Sequence, residues 1–420
     1  MIITDVERAV ADAHRREWAF VLAATARVAG DVDLAEECVQ DAYVAALDTW
    51  TRDGIPAKPG AWLTATAKRK AIDTLRRRQV FRTKMPLLVE PDEADMDNFN
   101  EPDAVPDDRL RLIFTCCHPA LAREAQVALT LRLVCGVSTG DIARAFLVTE
   151  PTMAARLTRA KKKIAAARIP YRVPGASELP ERLDAVLSTV HLLYTTGHTS
   201  PSGADLVRAD LVDRSLHLAR MLLSLMPDEA EVRGLLALLL LTDARRATRV
   251  DARGRLLVLE DQDRSRWDKA FIDEGSRLVV DSFRTGRVGR YALQAAIASL
   301  HALAPSSAQT DWRQVVGLYD RLLAEWPSPV VELNRAVAVS MVDGPEAALE
   351  VVALLATDDR LAGYHYLPAV RADLLRRLDR RTEAAAEYRA ALELVDNEAE
   401  REFLENRLAE VVESGSGRST

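Results

Sequence analysis

Apolar residues recur every three or four positions along most of this chain, the spacing that places them on one buried face of an α-helix. Val6, Val10, Ala13, Trp18, Val21 and Leu22 follow that spacing until Gly30 and Asp31 break the run. Leu34, Cys38, Ala42, Ala45 and Ala46 form a second face and predict a helix from about Asp33 to Trp50. Gly54, Pro56, Pro59 and Gly60 mark a loop, and a basic helix is predicted from near Ala61. Helical patterning resumes near Asp107. Ser138 three residues before Asp141 predicts a capped start, and Pro151 suits the first turn of the helix after it. The run 169–175, with Pro170, Pro174 and Gly175, is a boundary. Beyond it, 177–413 reads as helices of about 14–22 residues separated by Pro, Gly or Asp. Near its end a pattern repeats: Arg335, Ala336, Ala348, Val352 and Leu355 return thirty-six residues later as Arg371, Ala372, Ala384, Tyr388 and Ala391.

Composition narrows this to an all-α globular chain. At 420 residues, 48% hydrophobic and 28% charged, two or three domains are expected. The net charge of −7 gives no overall attraction to nucleic acid, so any such binding must come from local patches. Those patches exist. Residues 68–84 hold eight Lys or Arg against one Asp, whereas 90–108 hold nine acids and no base. Pro91, Pro102 and Pro106 lie among the acids, so that stretch reads as a linker. Cys38, Cys116, Cys117 and Cys135 form no CxxC pair and read as buried thiols rather than disulfides or metal ligands. No signal-peptide pattern opens the chain, and the longest apolar run, Leu235 to Leu241, is too short for a membrane span; a cytoplasmic protein with no membrane association is expected.

Two segments carry candidate chemistry. On the basic helix, Arg69 and Arg76, and likewise Lys70 and Arg77, stand seven apart and share a side, while Ile72 and Leu75 are placed to anchor it to a core. A cationic stripe of that kind contacts phosphates, and the adjoining loop is a candidate pocket for an unstacked base. The second segment is a helix-turn-helix: 141–146, a turn, then 149–163. The N-terminal residues of its second helix, Thr149, Thr152, Met153 and Arg156, are candidates for base edges. Arg159, Lys161, Lys162 and Lys163 are candidates for phosphate. Ile142, Ala143, Phe146, Met153, Leu157 and Ile164 fit its apolar interior.

Read together, these residues resemble extracytoplasmic-function sigma factors. Asp33-Leu-Ala-Glu36-Glu37-Cys-Val39-Gln40-Asp41-Ala-Tyr43-Val44-Ala-Ala46-Leu47 is similar to their region 2 helix, which docks on the polymerase clamp; the resemblance makes Glu37, Gln40 and Asp41 the polymerase contacts. The stretch from Pro59 to Arg77 resembles the following helix, which melts promoters and reads the −10 element. This assigns Trp62, Lys68, Arg69, Lys70, Asp73, Arg76 and Arg77 to that element, although the family commonly has Asn at or beside Lys70. Residues 108–172 resemble region 4, the −35 reader. The implied order is region 2 over 1–81, an acidic linker over 82–106, region 4 over 107–172, a C-terminal domain over 177–413 and a disordered tail over 414–420. The partners implied are core RNA polymerase and promoter DNA, with no cofactor, metal or enzymatic activity.

The C-terminal half resembles the subgroup with a fused tetratricopeptide-like domain, through Asp205-Leu206-Val207-Arg208-Ala209-Asp210-Leu211, Leu235-Leu-Ala-Leu-Leu, Asp243-Ala244-Arg245-Arg246, Leu259 to Trp267 and Ser328 to Val337. Tyr194-Thr-Thr-Gly197-His198-Thr departs from that subgroup's Asn-Glu-Gly-Tyr type sequence. The implied role is a built-in regulator acting through a protein partner or an intramolecular contact. The mixed charges at 243–246 and 260–264 read as a salt-bridge network that fixes helix packing, with an active site as the lesser alternative. No phosphate loop, nucleophile triad or metal box is visible. Two other readings stay open: a helix-turn-helix regulator that works without polymerase, and a helical scaffold with a vestigial DNA domain.

Overall fold

A computed structural model describes residues 5–84, 108–146, 148–200, 206–284, 286 and 288–416. Among these every regular element is helical, as the periodicity predicts, and the one β-pairing is an isolated bridge between Val250 and Leu256. The chain divides into two compact units, 1–190 and 191–420. Most of the predicted acidic linker, 85–106, lies outside the described residues.

The first unit opens with three mutually packed helices: α1 (Asp5–Ala29), α2 (Val32–Asp53) and α3 (Pro59–Lys84). Asp31 separates the first two because its carboxylate accepts from the amides of Asp33 and Leu34 at 2.7 and 3.2 Å, the usual N-cap geometry. Four shorter elements follow: α4 (Asp108–Cys116), α5 (Arg123–Leu129) running into a π-helical turn (Thr130–Val134), α6 (Thr139–Ala145) and α7 (Glu150–Ala166). α4 packs on α1, which makes the two halves of this unit one body. Gly136, at φ +66°, lies in that seam; a Cβ there would sit 3.0 Å from the rings of His14 and Trp18. Cys38, Cys116 and Cys117 are buried as expected and Cys135 is half-buried; the Cys117 thiol lies 3.4 Å from the Thr130 hydroxyl.

α8 (Leu179–His198) ends in the second unit, which continues with α9 (Ala209–Leu225), α10 (Ala230–Asp243), α11 (Lys269–Arg284) and α12 (Arg290–Leu303). The remaining helices are α13 (Trp312–Glu325), α14 (Pro329–Val342), α15 (Pro345–Leu355), α16 (Tyr366–Arg377), α17 (Arg381–Leu394) and α18 (Glu398–Ser416). Each of α12 to α18 packs on the next, the arrangement of a stacked helical repeat. The thirty-six-residue pattern is the core of two successive helix pairs: Ala336, Ala348, Val352 and Leu355 are buried between α14 and α15, and Ala372, Ala384, Tyr388 and Ala391 between α16 and α17. α15 and α16, at 11 and 12 residues, are shorter than predicted, and the backbone of α18 reaches Ser416, three residues into the predicted tail. α10 and α12 approach closely; a Cβ on Gly234 would lie 2.5 Å from the amide nitrogen of Ala292. The departure at 194–198 forms the last turn of α8. There Tyr194 stacks on His198 at 5.2 Å and shares a 3.2 Å hydrogen bond with its Nδ1.

Candidate nucleic-acid interface

Leu63, Ala67 and Ala71 recur four apart on α3, and all are fully buried. That stripe decides which way the helix faces. Arg69, Asp73, Arg76 and Arg77 are left exposed on the outside, with Lys68 and Lys70 at the margins. Ile72 does not anchor the helix as expected; it is 39% exposed and Leu75 is half-buried. The alanines explain this, because without bulky side chains at 67 and 71 the helix backbone lies directly against its neighbours. Trp62, half-buried at the N-terminal end, meets Trp50 edge to face at 5.6 Å. Lys70 donates to Asp41 at 3.3 Å, and Arg77 reaches back to the Asp73 carbonyl and the Thr74 hydroxyl at 3.3 and 3.4 Å.

The exposed side of α2 carries Glu37, Gln40 and Asp41, the three residues assigned to polymerase. The apolar pair Val44 and Leu47, 61% and 39% exposed, continues the same side. The resemblance places both on the docking helix but assigns neither a contact. The usable signal was their position four and seven residues after Gln40, off the stripe set by Leu34, Cys38 and Ala42.

In the helix-turn-helix, the Ser138 hydroxyl accepts from the Asp141 amide at 3.1 Å and opens α6. Thr149 is the N-cap of α7, its hydroxyl accepting from the Thr152 amide at 3.4 Å and lying 2.8 Å from the Thr152 hydroxyl. Both threonines are exposed at the leading end of the helix. Met153 is fully buried, so its side chain serves the core and does not face outward as a base contact requires. Arg156 is partly covered; it pairs with Glu124 at 2.9 Å and lies 5.9 Å from the Phe146 ring centroid. Arg159, Lys162 and Lys163 are exposed.

Lys161 points the other way. It lies one turn beyond buried Leu157, and its ammonium bonds to Asp33 at 2.6 Å and Glu36 at 2.7 Å, both on α2. Burial by itself would lower the Lys161 pKa, but Glu36 and Asp33 outweigh it and the pKa is raised. Glu36 is 4% exposed and also accepts from Arg132 Nε at 2.6 Å, while Arg132 Nη1 donates to the Val137 carbonyl at 3.1 Å. Sequence reading gave Lys161 to phosphate because a run of lysines looks solvated. Its partners are more than 120 residues away in the chain, where no local pattern reveals them. The same seam holds Trp18 Nε1 to the Leu133 carbonyl at 3.0 Å and the Tyr171 hydroxyl to the Ala23 carbonyl at 2.9 Å.

Residues 8–80 match the family described as sigma-70 region 2, residues 111–164 match sigma-70 region 4, and residues 182–283 match a family of unknown function, DUF6596. An uncharacterized protein of Rhizobium meliloti (strain 1021) is 44% identical over 383 residues, covering 90% of each chain. No solved structure matches. Among the described residues no helix is long and apolar enough to cross a membrane.

Proposed function

Because the chain belongs to the sigma-70 class, with regions 2 and 4 of the extracytoplasmic-function type followed by a fused C-terminal helical domain, we propose that it directs core RNA polymerase to a specific set of promoters in the cytoplasm. In this reading α2 docks on polymerase through Glu37, Gln40 and Asp41, with Val44 and Leu47 adding apolar area. α3 melts and holds the −10 element through the Trp62 end and the outer stripe of Arg69, Arg76 and Arg77. The leading end of α7 reads the −35 element with Thr149, Thr152 and Arg156, and Arg159 and Lys162 meet phosphate. The observation that carries the reading is the pair of outward-facing cationic helix surfaces, α3 and α7, on one chain, with an exposed polar and apolar face on α2, the helix packed against α3.

Elements named −10 and −35 are about 25 base pairs apart, roughly 85 Å of duplex at 3.4 Å per pair. A compact body the size of the first unit has a radius of gyration of about 16 Å. The two halves must therefore separate to engage both elements. Separation releases Lys161 from Asp33 and Glu36, so a cation held by carboxylates in the closed unit becomes available to the DNA backbone. The C-terminal unit modulates this activity, and the acidic segment 82–106 joins the separated halves.

Run-off transcription with core polymerase on a promoter library tests the reading. Promoter-specific transcripts that require the chain are expected; their absence, with duplex binding by the chain alone, would favour a regulator that works without polymerase.

A further inference from the structure

The connection between α10 and α11 and the ends of α8 and α12 gather four arginines in the second unit, and they are matched unequally. Arg246 grips both carboxylate oxygens of Asp243 at 2.8 and 2.7 Å and reaches Asp213 at 2.8 Å, so that part of the predicted salt-bridge network exists. Arg249 donates to the His198 carbonyl and to the Thr199 hydroxyl at 2.9 Å. Arg264 lies over the Trp267 ring, 4.5 Å from its centroid, and its Nη1 donates to the carbonyls of His301 and Ala304 at 2.5 and 3.0 Å.

Other groups lack acceptors. Arg264 Nη2 is buried with no hydrogen-bond partner among the described residues, and so is Nδ1 of His301, whose carbonyl Arg264 already holds. Arg245, on the same connection, is half-buried. These three groups lie within electrostatic reach of one another. Burial, then Arg245 and Arg264, push His301 down to about 4, which keeps its imidazole neutral at pH 7. Burial, then Arg264, oppose the charge on Arg245, with only the Tyr194 phenol in its favour. Glu260, Asp261 and Asp263, the acids that the sequence offered as partners, stand exposed, and Asp263 caps Ser265 instead.

A buried donor nitrogen left without an acceptor costs stability, which an anion placed against it would offset. We propose that Arg245, Arg264 and His301 form a binding site for a phosphate group, free or carried on a small ester, within the C-terminal unit. Two guanidiniums offer forked donors to phosphate oxygens and balance its charge of nearly −2, and the neutral imidazole supplies one more donor. Each of the three residues is half-buried, and the unpartnered Arg264 Nη2 and His301 Nδ1 lie beneath the surface of the unit. A ligand there would give the C-terminal unit a chemical input, beyond the promoter-directing role proposed above and independent of it.

Thermal unfolding of the full chain tests the site. Inorganic phosphate and ribose 5-phosphate are titrated at ionic strength matched with sodium chloride, using wild type, Arg245→Gln, Arg264→Gln and a control, Arg255→Gln, whose arginine pairs with Asp251 elsewhere. Saturable stabilisation of wild type and control by at least one of the two compounds is expected, with affinity at least tenfold weaker in Arg245→Gln and Arg264→Gln. Which compound binds more tightly separates a free from an esterified phosphate. No stabilisation beyond the chloride control, or equal stabilisation in all four proteins, overturns the site. Should a glutamine variant lose its cooperative transition, phosphorus NMR line widths of both compounds with wild type and Arg245→Lys replace it. Broadening by wild type that weakens at least tenfold in Arg245→Lys is expected, and equal or absent broadening overturns the proposal.

Discussion

Arginine and lysine are used in opposite ways by the two units. On α3 and α7 of the first unit, Arg69, Arg76, Arg77, Arg159 and Lys162 stand on outer helix faces in water. In the second unit Arg245, Arg249 and Arg264 turn inward, and with burial as the larger cause they hold His198 down to about 2 and His301 to about 4. Solvated cations carry little desolvation cost and, in a row, suit a polyanion whose counterions they displace. An inward cation is costly to hold and suits one compact anion that fits it. Lys161 and Arg132 are exceptions in the first unit: both are placed like inward cations, with their anions supplied by Asp33 and Glu36 of the same chain.

The sharpest way to break this comparison is on α3. Arg76→Ala combined with Arg77→Ala is expected to reduce promoter-dependent transcription by about tenfold or more, each lost phosphate contact lowering the salt dependence of binding. The melting temperature should hold, since both side chains are exposed. A parallel fall in melting temperature would mean that the stripe is structural. Next in size is Glu36→Gln, which leaves Arg132 and Lys161 without their shared buried carboxylate; a loss of about 3 kcal/mol is expected in the unfolding of the first unit, with a larger radius in X-ray scattering.

Acid should then separate the units. Burial first, then neighbouring arginines, lower the pKa of His191 to about 4, of His198 to about 2 and of His301 to about 4. The unfolded chain takes up protons at these positions below about pH 6.5 while the folded chain does not, so stability falls as pH drops from about 6.5 towards 4. Unfolding curves of the second unit at pH 7.5, 6 and 5 should show that decline, and a flat profile would place these rings in water. The smallest effect is expected from Glu124→Gln. It frees Arg156 from an exposed partner, should cost less than about 1 kcal/mol, and is checked by denaturant unfolding.

Much of this architecture is legible in the chain, because caps and periodicity are local. Ser138, Thr149 and Pro151 announce the helix-turn-helix, and the small residues of 336–391 announce the paired helices at the end. Orientation is harder to read. Ile72 looked like an anchor because it is large and apolar, yet the packing runs through Leu63, Ala67 and Ala71, where small size permits close approach. Lys161 and Lys162 are adjacent and chemically alike, and only the distant α2 carboxylates make one inward and one outward. The arginines at 245 and 264 looked like members of an ion-pair network, but Asp243 is taken by Arg246, and Glu260, Asp261 and Asp263 stand exposed, with Asp263 capping Ser265.

The most direct test of the central claim is permanganate reactivity of unpaired thymines in promoter DNA selected with the full chain and core polymerase. Reactivity confined to the start-proximal element, requiring both chain and polymerase and lost in the Arg76→Ala, Arg77→Ala double variant, is the predicted result. Protection of intact duplex by the chain alone, with no unpaired thymines when polymerase is added, would contradict it.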